Sequence, residues 1–110
     1  MLKELWEIMV PTISNDGKPF RTRYHRVWDN KVRAIANGLT ILHPVKGQWI
    51  SSSGQLHSER NIPVRIACTR SQIIEIMRMT KVYYSQEEIM AYKVSEEVIF
   101  LSEINESAST

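Results

Sequence analysis

The sequence predicts an α+β domain of the ferredoxin-like class, a β-α-β-β-α-β sandwich whose antiparallel sheet carries two helices on one face. Three observations lead to this prediction. The hydrophobic period changes between two and 3.6 residues along the chain, the predicted elements follow that order, and 110 residues are the size of one domain. Right-handed crossovers and antiparallel pairing turn the order into a two-layer sandwich.

The first strand and the first helix are predicted from two different periods. Residues 5–13 alternate, so that Trp6 and Val10 share one face while Glu7 takes the other. Residues 15–19 form a turn, and the helical period begins at about residue 23. The predicted buried stripe of this helix consists of Tyr24, Val27, Trp28, Val32 and Ile35. Gly38 follows the helix, where glycine is favoured just past a C-terminus.

The middle of the chain predicts short strands around a hairpin. Residues 39–42 are apolar, but Pro44 and Gly47 interrupt the run, so Trp49 belongs to a second piece. Residues 51–54, Ser-Ser-Ser-Gly, predict a hairpin turn, which leads into residues 55–58. A strand over residues 62–68 then alternates apolar and other side chains.

The last third predicts a capped helix and a final strand. Thr69 and Gln72 have the spacing of a capping box, and the apolar residues that follow keep the helical period. Residues 89–94 predict the last central strand, and residues 98–101 an edge strand or an extension of it. We expect one domain over residues 1–101 and a polar, disordered tail over residues 102–110.

The predicted sheet has one face without helices, and its apolar side chains need cover. That face would show Leu5, Met9, Pro63 and Ala67. An apolar surface of this kind is typical of an interface. We therefore expect a homo-oligomer, a dimer or higher, in which a second copy of the chain covers this face.

Charge is distributed unevenly along the chain, although the net charge is only +2. Residues 1–74 carry an excess of basic side chains and residues 75–110 an excess of acidic ones. The basic half could attract a nucleotide or a nucleic acid.

The chain shows no signal peptide and no apolar run long enough to cross a membrane, so we expect a cytoplasmic protein with no membrane partner.

A cluster of arginines marks the start of the first predicted helix. Arg21, Arg23 and Arg26 surround Tyr24, and a guanidinium fork suits phosphate while a helix N-terminus attracts anions. This cluster predicts an anion-binding site. The alternative is a solvated helix face, or one that meets the acidic half of a second subunit.

Two further residues are candidates for ligand binding. Arg65 lies in a predicted strand and needs a carboxylate or a bound anion if its face is buried. Glu7 has the matching strand parity and is the predicted structural partner. An exposed Trp49 would be a platform for a ligand, whereas a buried one fills the core, and core is the favoured interpretation.

Catalytic motifs of known spacing are missing, and acid–base candidates are few. Glu59 could act as a general base or bind a cation or a sugar hydroxyl, with His25 or His57 as the second group. The alternative for Glu59 is an ion pair with Arg60 or Arg65. The three histidines lie on different elements, so the sequence predicts no metal site and no cofactor.

Several of these residues also form a recognisable pattern. Gly38-Leu39-Thr40, Gly47-Gln48-Trp49, Gly54 and Glu59 resemble a pattern in uncharacterised small bacterial and phage-associated proteins. Gln86 before an apolar strand is similar as well. The resemblance implies the ferredoxin-like fold, and it implies no activity and no catalytic residue.

Three functions are compatible with the sequence. The favoured one is a non-catalytic, homo-oligomeric protein that binds an anionic ligand through Arg21, Arg23, Arg26 and Arg65. The second is a small-molecule enzyme that uses Glu59 and a histidine for acid–base catalysis. The third is a phage or bacterial regulatory protein that acts through protein–protein contacts.

Overall fold

The structure, a computed structural model, describes residues 3–102 and has the predicted ferredoxin-like architecture. Its elements are β1 (Glu4–Pro11), α1 (Thr22–Ala36), β2 (Thr40–Ile41), β3 (Val45–Ile50), β4 (Leu56–Cys68), α2 (Arg70–Tyr83) and β5 (Ala91–Ser95). The sheet order is β2-β4-β1-β5, with β3 also paired to β4, and all pairs are antiparallel. The fold class is confirmed, while residues 103–110 of the predicted tail lie outside the described residues.

A break divides the second strand of the fold into β2 and β3, which pair with the same edge of β4. Opposite the break lies Pro63, whose carbonyl accepts a hydrogen bond from the Leu42 amide at 2.9 Å. Because proline has no backbone N–H, Pro63 cannot donate a hydrogen bond back to this edge. Pro44, which lies between β2 and β3, has no backbone N–H either. The two prolines therefore account for the interruption that the sequence predicts here.

β4 continues past the sheet and forms, with β3, a projecting hairpin that we call the arm (residues 45–61). β1 pairs with β4 only as far as Asn61, so the preceding part of β4 has β3 as its neighbour and lacks β1 on the other edge. The predicted turn is confirmed, since the Gly54 amide donates to the Ser51 carbonyl at 2.9 Å and Gly54 has a positive φ of 83°. Residues 55–58 and 62–68 were predicted as separate pieces, but a single strand runs from Leu56 to Cys68.

The core lies between the sheet and the two helices. Its fully or nearly buried apolar side chains are Trp6, Ile8, Val10, Trp28, Val32, Ala36, Val64, Ile66, Cys68, Ile73, Ile76 and Tyr84. The predicted alternation of β1 is confirmed, and Cys68 at the end of β4 is buried.

The predicted buried stripe of α1 is wrong at its N-terminal end. Tyr24 is 36% exposed and Val27 is 41% exposed, whereas Trp28 and Val32 are buried. Tyr24 stacks on Tyr83 of α2, with the ring centroids 4.2 Å apart. The first turn of α1 therefore packs on the end of α2.

Segment boundaries near the C-terminus differ from the predictions. The last strand is β5, which begins two residues after the predicted start. Residues 98–101 form no strand, and Ile99 is 78% exposed.

None of the described helices has the length and apolar character that crossing a bilayer requires.

The start of α2 is fixed by the predicted capping box, which is confirmed. The Thr69 hydroxyl accepts a hydrogen bond from the Gln72 amide at 3.2 Å, and the Gln72 side chain accepts one from the Thr69 amide at 2.9 Å. The Gln72 side chain also donates to the Ile35 carbonyl at 3.0 Å, which ties α2 to α1.

Thr69→Ala should lower the free energy of unfolding by about 1 kcal/mol, because it leaves an amide of the first turn without its acceptor. Urea denaturation followed by circular dichroism measures the change. Ser71→Ala is the matched control, since Ser71 is exposed in the same turn and does not form the cap. Equal effects of the two substitutions would contradict the prediction.

Candidate functional site

A cleft of about 470 Å³ lies where the arm leaves the sheet. Its size falls within the range of about 300–1,000 Å³ that is usual for small-molecule sites. Four segments contribute to it: β1, β3, β4 and the segment between α2 and β5. The lining residues are Met9, Pro11, Gly47, Gln48, Trp49, Glu59, Asn61, Gln86, Glu88, Ile89 and Met90.

Strand register explains why these side chains meet. Gly47 pairs with Glu59, Trp49 pairs with His57, and Pro11 pairs with Asn61. Paired residues in an antiparallel sheet point to the same face, and alternate residues of a strand share that face. The cleft therefore opens on the face that the helices leave uncovered.

Trp49 is on the surface of the arm, so the interpretation that it fills the core is wrong. The residue is 49% exposed, and its ring stacks on His57 with centroids 4.3 Å apart and an interplanar angle of 13°. Trp49 lies on the face of the sheet that the helices leave uncovered, because it pairs with His57, which shares the strand parity of Asn61 and Arg65. Its role as a ligand platform stays a prediction.

Glu59 is exposed at the rim of the cleft, and the ion pair expected for it with Arg60 or Arg65 is wrong. Arg60 is its neighbour in β4 and points to the opposite face. Arg65 pairs with Glu7 instead. Among residues 3–102, the two ion pairs present involve Glu7 and Glu4, so the Glu59 carboxylate is available to a ligand.

Arg65 and Glu7 form the predicted structural pair, which is confirmed. Arg65 Nε donates to Glu7 Oε1 at 2.8 Å, and the Tyr92 hydroxyl donates to the other oxygen of Glu7. Burial alone would raise the pKa of Glu7, but the hydrogen bonds from Tyr92 and Arg65 outweigh burial and lower it. The hydrogen bond to Glu7 raises the pKa of Tyr92.

The arginines at the start of α1 lie in a different part of the molecule from Arg65 and Trp49. Arg21 and Arg23 line a groove of about 360 Å³ together with Lys18, Phe20 and Tyr24. Arg26 is exposed on α1 and is not among the residues that line this groove. The structure therefore does not bring the predicted ligand residues into one site.

The histidines are also separated. His57 stacks on Trp49 beside the cleft, whereas His25 lies in the helical layer, where its Nδ1 is 2.6 Å from the Tyr84 hydroxyl. His43 is exposed near the break between β2 and β3. Over the described range, residues 3–102, no three His, Cys, Asp or Glu side chains form a group that could hold a metal ion.

Protonation of His25 should destabilise the fold. Burial lowers the pKa of His25 from its ordinary value, and the nearby Asp29 opposes this only in part. Near pH 6 the unfolded chain therefore binds more protons than the folded chain does. The contribution of His25 to the free energy of unfolding is complete above its pKa in the unfolded state, and it is lost as the pH falls from that value towards the pKa in the folded state. A neutral ring can also accept the Tyr84 hydroxyl proton, which a protonated ring cannot do.

We expect the free energy of unfolding to decrease between about pH 7.5 and about pH 5.5. Urea denaturation at both pH values measures the decrease, and His25→Gln should reduce it. His43→Gln, at an exposed histidine, is the control and should leave the pH dependence unchanged. The prediction fails if the two variants behave alike.

Sequence reasoning missed several residues of the cleft. Asn61 could have been placed beside Glu59, because the two share the parity of one strand. Gln86 was singled out as part of the sequence pattern; its side chain donates to the Tyr84 carbonyl at 3.0 Å, and the residue also lines the cleft. Met9 and Met90 are brought to the cleft by the pairing of β1 with the segment before β5.

Comparison with known proteins yields similarity of structure alone. No protein-family model and no curated protein matches the chain. The fold is similar to that of the divalent cation tolerance protein CutA1 from Thermus thermophilus, with 11% identity, a TM-score of 0.63 and coverage of 98% of this chain and 92% of that one. CutA1 from Oryza sativa has 8% identity, a TM-score of 0.67 and coverage of 91% and 84%.

A third similar structure is a phage SAM lyase in complex with S-methyl-5′-thioadenosine. It has 14% identity, a TM-score of 0.61 and coverage of 87% of this chain and 83% of the lyase. Identities this low establish the shared fold and leave the activity to be argued from the site.

Proposed function

We propose that the chain is a small enzyme that binds a sulfonium nucleoside of the S-adenosylmethionine type in the cleft and splits it to S-methyl-5′-thioadenosine. The observation that carries this proposal is the cleft, where Trp49 and Glu59 of the arm meet Gln86 from the segment between α2 and β5. All three also belong to the sequence pattern that resembles one in uncharacterised small bacterial and phage-associated proteins. The similarity in fold to a phage SAM lyase supports the same choice.

The lining of the cleft suits the parts of such a nucleoside. The exposed Trp49 ring offers a stacking surface for adenine, as aromatic side chains do for bases. A carboxylate beside it, such as Glu59, can accept hydrogen bonds from ribose hydroxyls. The polarisable side chains of Met9 and Met90 provide an apolar surface for the sulfur and its methyl group.

The reaction breaks the bond between the sulfonium sulfur and the γ-carbon of the amino-acid chain. The sulfur keeps the electron pair and leaves as a neutral thioether. In the first route, the γ-carbon forms a bond to a carboxylate oxygen of the ligand's own amino-acid chain. In the second route, the neighbouring carbon of that chain loses a proton, and a double bond forms between the two carbons. Both routes balance without a second substrate. In the second route, Glu59 accepts the proton, and His57 is the histidine placed to assist it.

We further propose that the enzyme works as a homo-oligomer. Val45 and Tyr92 are each 42% exposed on the uncovered face of the sheet, which they share with their pairing partners Asn61 and Glu7. Exposed apolar side chains on one sheet face are typical of an interface. A second copy of the chain against the uncovered sheet face would also exclude water from the cleft.

Incubation with S-adenosylmethionine tests the proposed function directly. We expect S-methyl-5′-thioadenosine to accumulate, as measured by liquid chromatography and mass spectrometry, and the same experiment identifies the second product. S-Adenosylhomocysteine is the matched control, because its neutral sulfur is a poor leaving group. The absence of product, together with the absence of S-methyl-5′-thioadenosine binding in calorimetry, would refute the proposal.

A second candidate function is the binding of an anionic ligand, such as a nucleotide, at the groove on α1. It is favoured by the three cationic residues Lys18, Arg21 and Arg23 around the aromatic rings of Phe20 and Tyr24. Binding to phosphate-bearing ligands weakens steeply with salt. An affinity for nucleotides or single-stranded nucleic acid that does not change with salt would exclude this function.

A further inference from the structure

The charged residues that line the cleft are both acidic. They are Glu59 and Glu88, and no lysine or arginine of the described residues 3–102 lines the cleft with them. Both carboxylates are exposed, and neither takes part in the ion pairs of residues 3–102. A cleft lined by charge of one sign attracts a ligand of the opposite sign. The lining therefore favours a ligand that carries positive charge.

Glu59 and Glu88 contribute to the cleft from opposite edges of β1. Glu59 belongs to β4, which pairs with one edge of β1. Glu88 belongs to the segment before β5, which runs along the other edge, where the Met9 amide donates to the Met90 carbonyl at 3.1 Å. Neighbouring strands lie about 4.8 Å apart, so β4 and this segment are separated by roughly 10 Å. One extended ligand that lies across β1 can therefore reach both carboxylates.

We propose that Glu88 binds the ammonium group of the ligand's amino-acid chain. The inference rests on the proposed function and adds the group by which the cleft selects its substrate. With the ribose at Glu59 and the sulfur at Met9 and Met90, the amino-acid chain leads across β1 towards Glu88. An ammonium group has three N–H donors, and a carboxylate accepts them in charge-assisted hydrogen bonds.

The acidic lining also separates substrate from product. S-Adenosylmethionine carries positive charge on its sulfonium and on its ammonium group, whereas S-methyl-5′-thioadenosine carries no charge. Cleavage therefore removes the attraction between the cleft and the nucleoside, which favours release of the product. The carboxylate of the substrate finds no opposite charge among the lining residues that the structure describes, so the ammonium group is the recognised end of the chain.

Calorimetry with three stable ligands tests the inference on the full chain. The ligands are S-adenosylhomocysteine, its deaminated analogue and its decarboxylated analogue, and none contains the sulfonium that the proposed reaction splits. We expect the wild-type protein to bind S-adenosylhomocysteine about fivefold or more tightly than the deaminated analogue, as for one ion pair that water partly screens. This preference should shrink at high salt. The decarboxylated analogue should bind at least as tightly as S-adenosylhomocysteine, because it lacks the negative charge.

Three variants assign the preference for the ammonium group to Glu88. Glu88→Gln keeps the size of the side chain and removes its charge, so S-adenosylhomocysteine and the deaminated analogue should bind equally. Glu88→Asp keeps the charge and should retain most of the preference. Glu87→Gln is the matched control, because Glu87 is exposed in the same segment but does not line the cleft, and it should retain the full preference. Circular dichroism and the melting temperature show that each variant is folded.

The outcomes distinguish this inference from the proposed function. Equal affinities of the wild-type protein for S-adenosylhomocysteine and the deaminated analogue would overturn the role of Glu88 and leave nucleoside binding intact. A preference that survives in Glu88→Gln, or that is lost equally in Glu87→Gln, would do the same. A wild-type protein that binds none of these ligands and no S-methyl-5′-thioadenosine would overturn both proposals.

Discussion

Glu59→Gln should lower the rate of S-methyl-5′-thioadenosine release by about 10- to 150-fold, the loss expected when a hydrogen bond to a charged group is removed. The substitution preserves the size and planarity of the side chain and removes its charge. The carboxylate is exposed at the rim of the cleft and has no ion-pair partner among residues 3–102, so the loss is not a loss of fold stability. Product formation at saturating and at low substrate measures the effect on kcat and KM.

The control for this prediction is Glu87→Gln. Glu87 is exposed in the segment before β5, next to residues that line the cleft, but it does not line the cleft itself. It carries the same charge, so a general electrostatic effect of removing one carboxylate would appear in both variants. Turnover in Glu59→Gln equal to that of the control would remove Glu59 from the site.

Trp49→Ala should weaken nucleoside binding by about 5- to 150-fold, because stacking of a base on an aromatic side chain contributes about 1–3 kcal/mol. The ring is already held by His57, and about half of the residue remains exposed to receive a ligand. Trp49→Phe should keep most of the affinity, since phenylalanine also stacks. Calorimetric titration with S-methyl-5′-thioadenosine measures both variants.

Ile50→Ala serves as the control for Trp49→Ala. Ile50 is the next residue of β3, is 70% exposed and points to the opposite side of the arm. Its loss of apolar area affects the arm but not the cleft. Nucleoside binding that is equally strong in Trp49→Ala and in the wild-type protein would show that the ligand lies elsewhere.

Features with a local or periodic cause were predictable from the sequence. The capping box at Thr69 depends on two residues in one turn, and the pair of Glu7 and Arg65 follows from the parity of two strands that the fold places side by side. The break around Pro44 was predictable because proline cannot donate a ladder hydrogen bond. These features need no knowledge of what covers each surface.

Exposure on the arm was not predictable in this way. Trp49 is apolar and lies in a strand, which favours burial, but β1 ends at Pro11, short of the row of Trp49, and the residue is 49% exposed. The exposure of Trp49 therefore depends on where β1 ends, and β1 is far from Trp49 in the sequence. The same reason explains Tyr24 and Val27, which lie on the predicted face of α1 but beyond the edge of the layer they were expected to cover.

The shared strand β4 has a consequence for hydrogen exchange. Its second half is paired with β1 throughout and with β2 at Val64 and Arg65, while residues 56–60 are paired with β3 alone and are separated from β2 by the break at Pro63. Cooperative opening units follow such boundaries. The amides of residues 56–60 should exchange far faster than those of residues 64–68, and a ligand in the cleft should slow only the fast group. One continuous strand would then span two units of local unfolding, and the protein could order its cleft without changing the opening free energy of its core.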